Sequence, residues 1–122
     1  MKKPVSVATI TYLRNLCLSL PEATEVPHFE NTSYRVKKKI FATYNPVTNL
    51  ACVKLNEVDQ SAFSAFDASI VYPVPNKWGK QGWTLIDLEK VHDDVLKDAV
   101  ETAFCTVAPA KIVAAYKQNS DQ

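Results

Sequence analysis

Residues 76–83 read Asn-Lys-Trp-Gly-Lys-Gln-Gly-Trp, and this stretch contains both glycines and both tryptophans of the 122-residue chain. It follows the segment Tyr72-Pro73-Val74-Pro75, which is expected to be extended because proline fixes its own φ and disfavours helix in the preceding residue. A strand is predicted at 83–88, directly after the stretch. The two glycines therefore predict a sharp turn with positive φ at both, and Trp83 is expected to anchor the last strand in the core.

Three helices are predicted outward from this turn by apolar residues that recur at three- and four-residue steps. The first covers about residues 7–19 and ends before Pro21. A short second helix begins at Asn56, whose side chain is a good N-cap. The long third helix covers residues 92 to about 107, and Pro109 suits the first turn of a short terminal helix.

Alternating side chains predict further strands at 33–36, 40–44 and 50–55. The first two form a hairpin. Its turn, Lys37-Lys38-Lys39, lacks the Gly, Asn or Asp that tight turns prefer, so the turn is expected to be strained or longer than two residues. The predicted fold class is α+β: an antiparallel sheet of about five to six strands with the N-terminal helix, the short middle helix and the long C-terminal helix packed on it.

The length and composition predict one ordinary globular domain that covers residues 1–122. Hydrophobic residues make up 47% of the chain and charged residues 22%, which is typical of a folded domain and not of a disordered segment. Met1-Lys2-Lys3 is not followed by an apolar signal-peptide region, and no stretch reaches the roughly 20 apolar residues that span a membrane. We therefore expect a cytoplasmic protein with no membrane association.

Cysteine and histidine give little support for metal or catalytic chemistry. Cys17, Cys52 and Cys105 are widely spaced among apolar neighbours, which favours reduced core thiols over disulfides or a zinc site. His28 and His92 have no partners at metal-ligand spacing. A Cys–His nucleophile pair stays open, since sequence separation does not exclude it. No metal and no cofactor is predicted, and a binding module is favoured over an enzyme.

The charged residues are unevenly distributed although the net charge is only +1. No acid occurs between Glu30 and Glu57 or between Asp67 and Asp87, and these two segments contain seven lysines and arginines. The acids concentrate on the predicted long helix. If the two acid-free segments meet in space, one face of the molecule is basic and another is acidic.

Four motifs in register resemble the MmcQ/YjbR family of small bacterial proteins, and they are distributed over nearly the whole chain. The hairpin turn, which usually contains glycine in that family, is Lys37-Lys38 here. The matching motifs are Leu16-Cys17-Leu18-Ser19-Leu20-Pro21-Glu22-Ala23-Thr24-Glu25, then Tyr34-Arg35-Val36 with Lys39-Ile40-Phe41-Ala42, then Tyr72-Pro73-Val74-Pro75 with Gly79-Lys80-Gln81-Gly82-Trp83, and last Val107-Ala108-Pro109-Ala110-Lys111.

The resemblance implies an antiparallel sheet with helices on one side, in the double-wing arrangement that is compared with the DNA-binding domain of a phage transcription factor. It therefore implies a module that binds DNA or another nucleic acid. Because fold alone does not carry function, the residues themselves have to support this implication. The resemblance brings no catalytic residues to this chain.

Two segments supply the candidate residues for binding nucleic acid. The hairpin could touch phosphates through its cations, and the Gly/Trp turn could approach a phosphate with its backbone while Trp78 stacks on a base. The alternatives are a solvated hairpin tip whose charges block aggregation, and a turn that is purely structural. The candidate residues are Arg35, Lys37, Lys38, Lys39, Lys77, Trp78 and Lys80.

Two other functions stay open. The first is a protein–protein or self-association module that uses the acidic long helix or exposed aromatic residues. The second is a small-ligand-binding protein or enzyme with a pocket near the proline-rich segment, which Tyr72, Trp78 and His28 would line. An exposed apolar patch would favour the first function, and a pocket with a few polar groups would favour the second.

Overall fold

The computed structural model describes the backbone of residues 5–120, which forms five helices and six strands. The helices are α1 (Val5–Ser19), α2 (Glu57–Phe66), α3 (Lys77–Lys80), α4 (Asp93–Val107) and α5 (Ala110–Ser120). The strands are β1 (Ala23–His28), β2 (Asn31–Val36), β3 (Lys39–Asn45), β4 (Leu50–Lys54), β5 (Val71–Pro73) and β6 (Trp83–Asp87). They form one antiparallel sheet in the order β1-β2-β3-β4-β6-β5. The predicted α+β fold class is confirmed.

Local signals place the ends of several elements. The Asn56 side chain accepts a hydrogen bond from the Asp59 backbone N–H at 2.8 Å, so it caps α2 as predicted. The two edge strands of the sheet each contain a proline, Pro27 in β1 and Pro73 in β5. Proline has no N–H to donate, and it is tolerated in a sheet mainly at such edges.

The core lies between the helices and one face of the sheet. Helix α4 packs against β3, β4 and α1, and side chains of α1, α2, α4 and α5 all join the same apolar cluster. A β-bulge in β3 adds the side chain of Phe41 to this core. Tyr34 pairs with Ala42 but Arg35 pairs with Ile40, so Phe41 is an extra residue in the strand. The Phe41 ring meets the Phe104 ring edge-on, with 5.6 Å between centroids.

The hairpin turn between β2 and β3 has the strain predicted from its sequence. Val36 pairs directly with Lys39, so the turn is only two residues long. Lys37 has φ +50° and Lys38 has φ +70°, a left-handed conformation that costs a non-glycine residue roughly 1 kcal/mol or more. Glycine would adopt it without that cost.

The two glycines meet different steric demands, and the prediction of positive φ at both is wrong for Gly79. Gly79 is helical, but a Cβ there would lie 1.9 Å from the Val74 carbonyl oxygen. Gly82 has φ +105°, and its Cβ would lie 1.8 Å from the Leu55 carbonyl oxygen. Both glycines are therefore required because the stretch crosses directly over the backbone of neighbouring segments.

Candidate functional site

The sheet has a second face, turned away from the helices, that carries apolar side chains. Cross-strand pairs share a face, and a row of such pairs runs from Ser33 through Thr43, Cys52 and Leu85 to Tyr72. Adjacent rows contain Arg35 with Ile40 and Lys54 with Trp83. We call this surface the open face. Of its residues, the following are only partly buried: Arg35, Ile40, Thr43, Cys52, Lys54, Tyr72, Trp83 and Leu85.

The open face contains a groove with a volume of about 390 Å³. No Asp, Glu, Lys or Arg side chain lines it, and its floor is largely apolar. Its lining residues are His28, Asn31, Ile40, Thr43, Cys52, Val74, Trp78 and Trp83. Two of the three residues predicted to line a pocket near the proline-rich segment, His28 and Trp78, are among them. The third, Tyr72, lies on the open face but outside the groove lining.

Each tryptophan at one end of the groove lies beside a lysine. The Lys54 ammonium is 5.7 Å from the centroid of the Trp83 ring and also donates to the Gln81 carbonyl. The Lys77 ammonium is 5.7 Å from the centroid of the Trp78 ring. Trp78 is 49% exposed. Both distances allow a cation–π attraction, which leaves two aromatic rings and two cations at the same rim.

The loop that carries Trp78 is held to the rest of the fold by hydrogen bonds. The Asn76 side chain accepts from the Trp78 backbone N–H at 2.8 Å and caps the short helix α3. The Gln60 side chain reaches the loop from α2. Its Nε2 donates to the carbonyls of Gly79 (2.8 Å) and Trp83 (3.3 Å) and to Thr84 Oγ1 (3.1 Å). The tryptophans are therefore displayed from an anchored loop.

His28 lines the other end of the groove, and Arg35 lies beside it. Arg35 Nε donates to Ser33 Oγ at 3.0 Å, and the buried Ser33 hydroxyl donates to the Val26 carbonyl at 2.7 Å. Arg35 Nη2 is 3.5 Å from His28 Nδ1. Beside His28 lies Phe29, which is 94% exposed and meets the His28 ring edge-on at 4.8 Å. A guanidinium and an exposed ring thus border this end.

The structure distributes the predicted nucleic-acid residues over one end of the sheet. Strand register places the hairpin tip at the same end as Lys54 and α3, because Val36 pairs with Lys39 while Lys54 pairs with Trp83. Only Arg35, Lys77 and Trp78 border the groove or lie on the open face. Lys38, Lys39 and Lys80 are exposed away from its lining, and Lys37 forms a salt bridge with Glu22 at 2.7 Å.

Sequence reasoning missed two site residues and misplaced a third. Lys54 and Cys52 were not among the predicted site residues, and Trp83 was expected in the core. Trp83 instead alternates with the fully buried Thr84 and Ile86, so it must lie on the opposite face of β6. The alternation within β6 was readable, but which of its two faces the helices cover was not.

The groove gives no support for the Cys–His nucleophile. Cys52 and His28 line the same groove, but burial raises the pKa of the Cys52 thiol to about 11. An activated nucleophile requires the opposite shift, since the thiolate is the reactive form. Among the described residues, no group of three or more His, Cys, Asp or Glu side chains could hold a metal ion. No helix in that part of the chain is long and apolar enough to cross a membrane.

Comparison with known proteins agrees with this fold. The family model YjbR matches residues 18–106, which is well over half of the chain. The chain belongs to the YjbR family. This YjbR-family protein also resembles the crystal structure of Deinococcus radiodurans protein DR2400, which contains the family-model domain DUF419. The TM-score is 0.71 with 17% sequence identity, over 87% of this chain and 81% of that one. The search of curated proteins found no match to this chain. The resemblance predicted from sequence motifs is confirmed.

Proposed function

We propose that this YjbR-family protein is a non-enzymatic module that binds unpaired nucleic acid through the open face of its sheet. The observation that supports this most is the pairing of two accessible tryptophans with two lysines at one rim of a neutral groove. Aromatic side chains stack on bases without regard to sequence, and nearby cations attract the phosphates. Trp78 and Trp83 would hold bases, and Lys54, Lys77 and Arg35 would contact the backbone.

The geometry favours a single strand over a duplex. In a duplex the faces of the bases are stacked inside the helix, whereas an unpaired base can place its ring in a groove or against an aromatic side chain. A groove with an uncharged floor and cations at its border suits a ring flanked by phosphates. The exposed ring of Phe29 at the opposite end offers a further stacking position along the same path.

The hairpin tip supports the proposal as a second source of positive charge. Lys37 and Lys38 occupy backbone conformations that glycine would adopt at lower cost. Strained residues of this kind often occur at functional sites. The Lys38 charge lies at the same end of the sheet as the tryptophans, whereas the Lys37 charge is paired with Glu22. With a net charge of only +1, we expect affinities in the micromolar range at low salt that fall as salt rises.

A second candidate function follows from the size of the groove. Its volume of about 390 Å³ is within the range typical of small-ligand sites. A ligand with a planar aromatic ring and an anionic group would match the neutral floor and the cationic border. In this case the protein would bind a mononucleotide-like molecule and not a strand.

The test is a fluorescence titration with a single-stranded oligonucleotide, the matched duplex and a mononucleotide, at low and near-physiological salt. Both tryptophans of the chain lie at the groove, so fluorescence excited selectively at tryptophan reports on this surface. We expect saturable quenching by the single strand that weakens with salt. Quenching by the mononucleotide but not by the strand would instead support the second candidate.

Two charge-matched variants locate the binding surface. Lys77→Glu alters the rim of the groove, whereas Lys97→Glu makes the same charge change on an exposed position of α4. We expect the first variant and Trp78→Ala to abolish binding, and the second to retain it. Equal loss in both lysine variants would show that only net charge matters and would contradict the proposal.

A further inference from the structure

The helix layer contains a second surface that neither the fold nor the proposed function uses. A cleft of about 280 Å³ lies between α2 and α4 and is lined by Ala62, Phe63, Phe66, Val95 and Asp98. Phe66 is 70% exposed, and Val58, two turns earlier on the same side of α2, is 77% exposed. Large apolar side chains that are this exposed and this close together are typical of interaction sites.

The two helices that form this cleft are acidic, and Asp98 lies in the cleft lining. Helices α2 and α4 together carry six acidic residues and a single basic one, Lys97. No salt bridge in the described part of the chain involves any of the six, although Glu101 accepts a hydrogen bond from Tyr116. Desolvation by burial raises the pKa of Tyr12 on α1, and the negative charges of Asp93, Asp94, Glu101 and Asp98 on α4 raise it further.

We infer that the cleft between α2 and α4 is a docking site for a basic amphipathic helix of a partner protein. A groove between two helices accepts a third helix, which inserts apolar side chains at positions i, i+3, i+4 and i+7. The acidic character of α2 and α4, with Asp98 in the cleft itself, selects a partner whose polar face carries lysine or arginine. The inference is independent of the nucleic-acid proposal because it concerns the opposite side of the sheet.

A second copy of this chain is a poor occupant of the same cleft. In a symmetric dimer the surface meets itself, so the two acidic rims would face each other across the apolar contact. Like charges brought together in this way oppose association at a specific interface. A heterologous partner with a basic helix has no such cost.

The experiment uses the whole protein and a fluorescein-labelled synthetic peptide, followed by fluorescence anisotropy. The peptide has about 18 residues, so that it can form a helix, with leucine at the i, i+3, i+4 and i+7 positions and lysine elsewhere. Two comparison peptides are a scrambled sequence of the same composition and one with glutamate in place of lysine. We expect only the amphipathic lysine peptide to bind saturably. Equal binding of the scrambled peptide would overturn the inference.

Variants with exposed side chains keep the test separate from folding. We expect Phe66→Ala and Asp98→Lys each to weaken binding of the lysine peptide by about tenfold or more. Val47→Ala removes a side chain that is 84% exposed far from the cleft, and Glu89→Lys makes the same charge change at an exposed site outside α2 and α4. Both controls should bind as the unaltered protein does. Unchanged binding by Phe66→Ala would overturn the inference.

Two further measurements identify other occupants. Sedimentation that shows a dimer, lost in Phe66→Ala, would assign the cleft to a second copy and overturn the partner-helix inference. Trp78→Ala should leave peptide binding unchanged, because Trp78 lies at the open face. If Trp78→Ala removes peptide binding, the peptide is held at the groove and the inference fails, whatever the outcome of the nucleic-acid titration.

Discussion

The two faces of the sheet use the same strands for different purposes. On the helix side, β4 and β6 present Ala51, Val53 and Ile86, all fully buried. On the open face the same strands present Cys52, Trp83 and other apolar side chains that stay partly exposed. An antiparallel sheet with one solvated face normally alternates apolar and polar side chains. Here the open face carries apolar side chains where polar ones would be expected.

Under the proposed function, this difference separates stability from recognition. Side chains on the helix side are packed on every side, so each contributes its full burial to folding. Side chains on the open face are packed from one side only, and they leave rings and a thiol accessible to a ligand. Substitutions on the helix side should therefore lower stability more than substitutions on the open face do.

The largest contrast is expected between Phe104 on the helix side and Trp83 on the open face. Phe104 is fully buried between the rings of Phe41, at 5.6 Å, and Tyr116, at 5.7 Å. Phe104→Ala should lower the free energy of unfolding by about 3–5 kcal/mol because it leaves a cavity. Trp83→Ala should cost at most about 2 kcal/mol. Urea denaturation followed by circular dichroism measures both, and equal losses would contradict the contrast.

The second contrast concerns the thiols of Cys17 and Cys52. Burial raises the pKa of Cys52 from 9.0 to about 11 and raises that of Cys17, on the helix side, well above its ordinary range. At pH 8 we expect Cys52 to react with N-ethylmaleimide about 100-fold more slowly than a free thiol, and Cys17 to react only on unfolding. Mass spectrometry of the labelled protein gives both rates. Labelling of Cys17 before Cys52 would contradict the assignment of faces.

The same thiol makes stability depend on pH. Because the folded pKa of Cys52 is raised, the folded state disfavours the thiolate, and its contribution to stability is complete below about pH 9. This contribution is lost as pH rises from 9 towards 11. Cys52→Ala should flatten the fall in thermal midpoint over this interval, compared with the unaltered protein.

Gln60 of α2 is hydrogen-bonded to the loop that carries Trp78. Its removal should have a smaller effect on stability. Its amide group is the donor that ties α2 to the loop bearing Trp78. Gln60→Ala should cost about 1–2 kcal/mol through the lost hydrogen bonds and should speed amide hydrogen exchange in residues 79–82. The neighbouring exposed variant Ser61→Ala should change neither. Unaltered exchange in Gln60→Ala would show that the loop is held by other contacts.

The smallest expected effect is a gain in stability at the hairpin tip. Lys38→Gly should raise the free energy of unfolding by up to about 1 kcal/mol because φ +70° strains every residue except glycine. Lys39→Gly, one residue later in the strand, should instead lower it. If the lysine charge serves binding, Lys38→Gly will be more stable but will bind a single strand more weakly.

Short-range signals were sufficient to predict most elements of this fold. The spacing of apolar residues located α1 and α4, the Asn56 cap located α2, and prolines marked where helices end. Four motifs in register, between residues 16 and 111, predicted the family. Each of these signals is contained within a few turns or one strand, so the local sequence determines it.

The site was predicted only in part because it depends on long-range packing. Trp83 could be assigned to a face only after it was known that the helices cover the face of Thr84 and Ile86. The groove brings together residues from five strands and from the loop, including His28 and Trp78, and no local pattern encodes their proximity. Gly79 is required because its backbone passes close to the Val74 carbonyl. This close approach is formed only in the folded chain, so the sequence alone does not reveal it.

The prolines at the two sheet edges restrict how this protein can assemble. Pro27 in β1 and Pro73 in β5 each remove a donor from an edge that another strand would otherwise extend. Fibril growth by strand addition is disfavoured at both ends of the sheet, even though the broad face between them is apolar. The apolar open face can therefore remain exposed while the edges of the same sheet resist the strand-by-strand association that builds ordered aggregates.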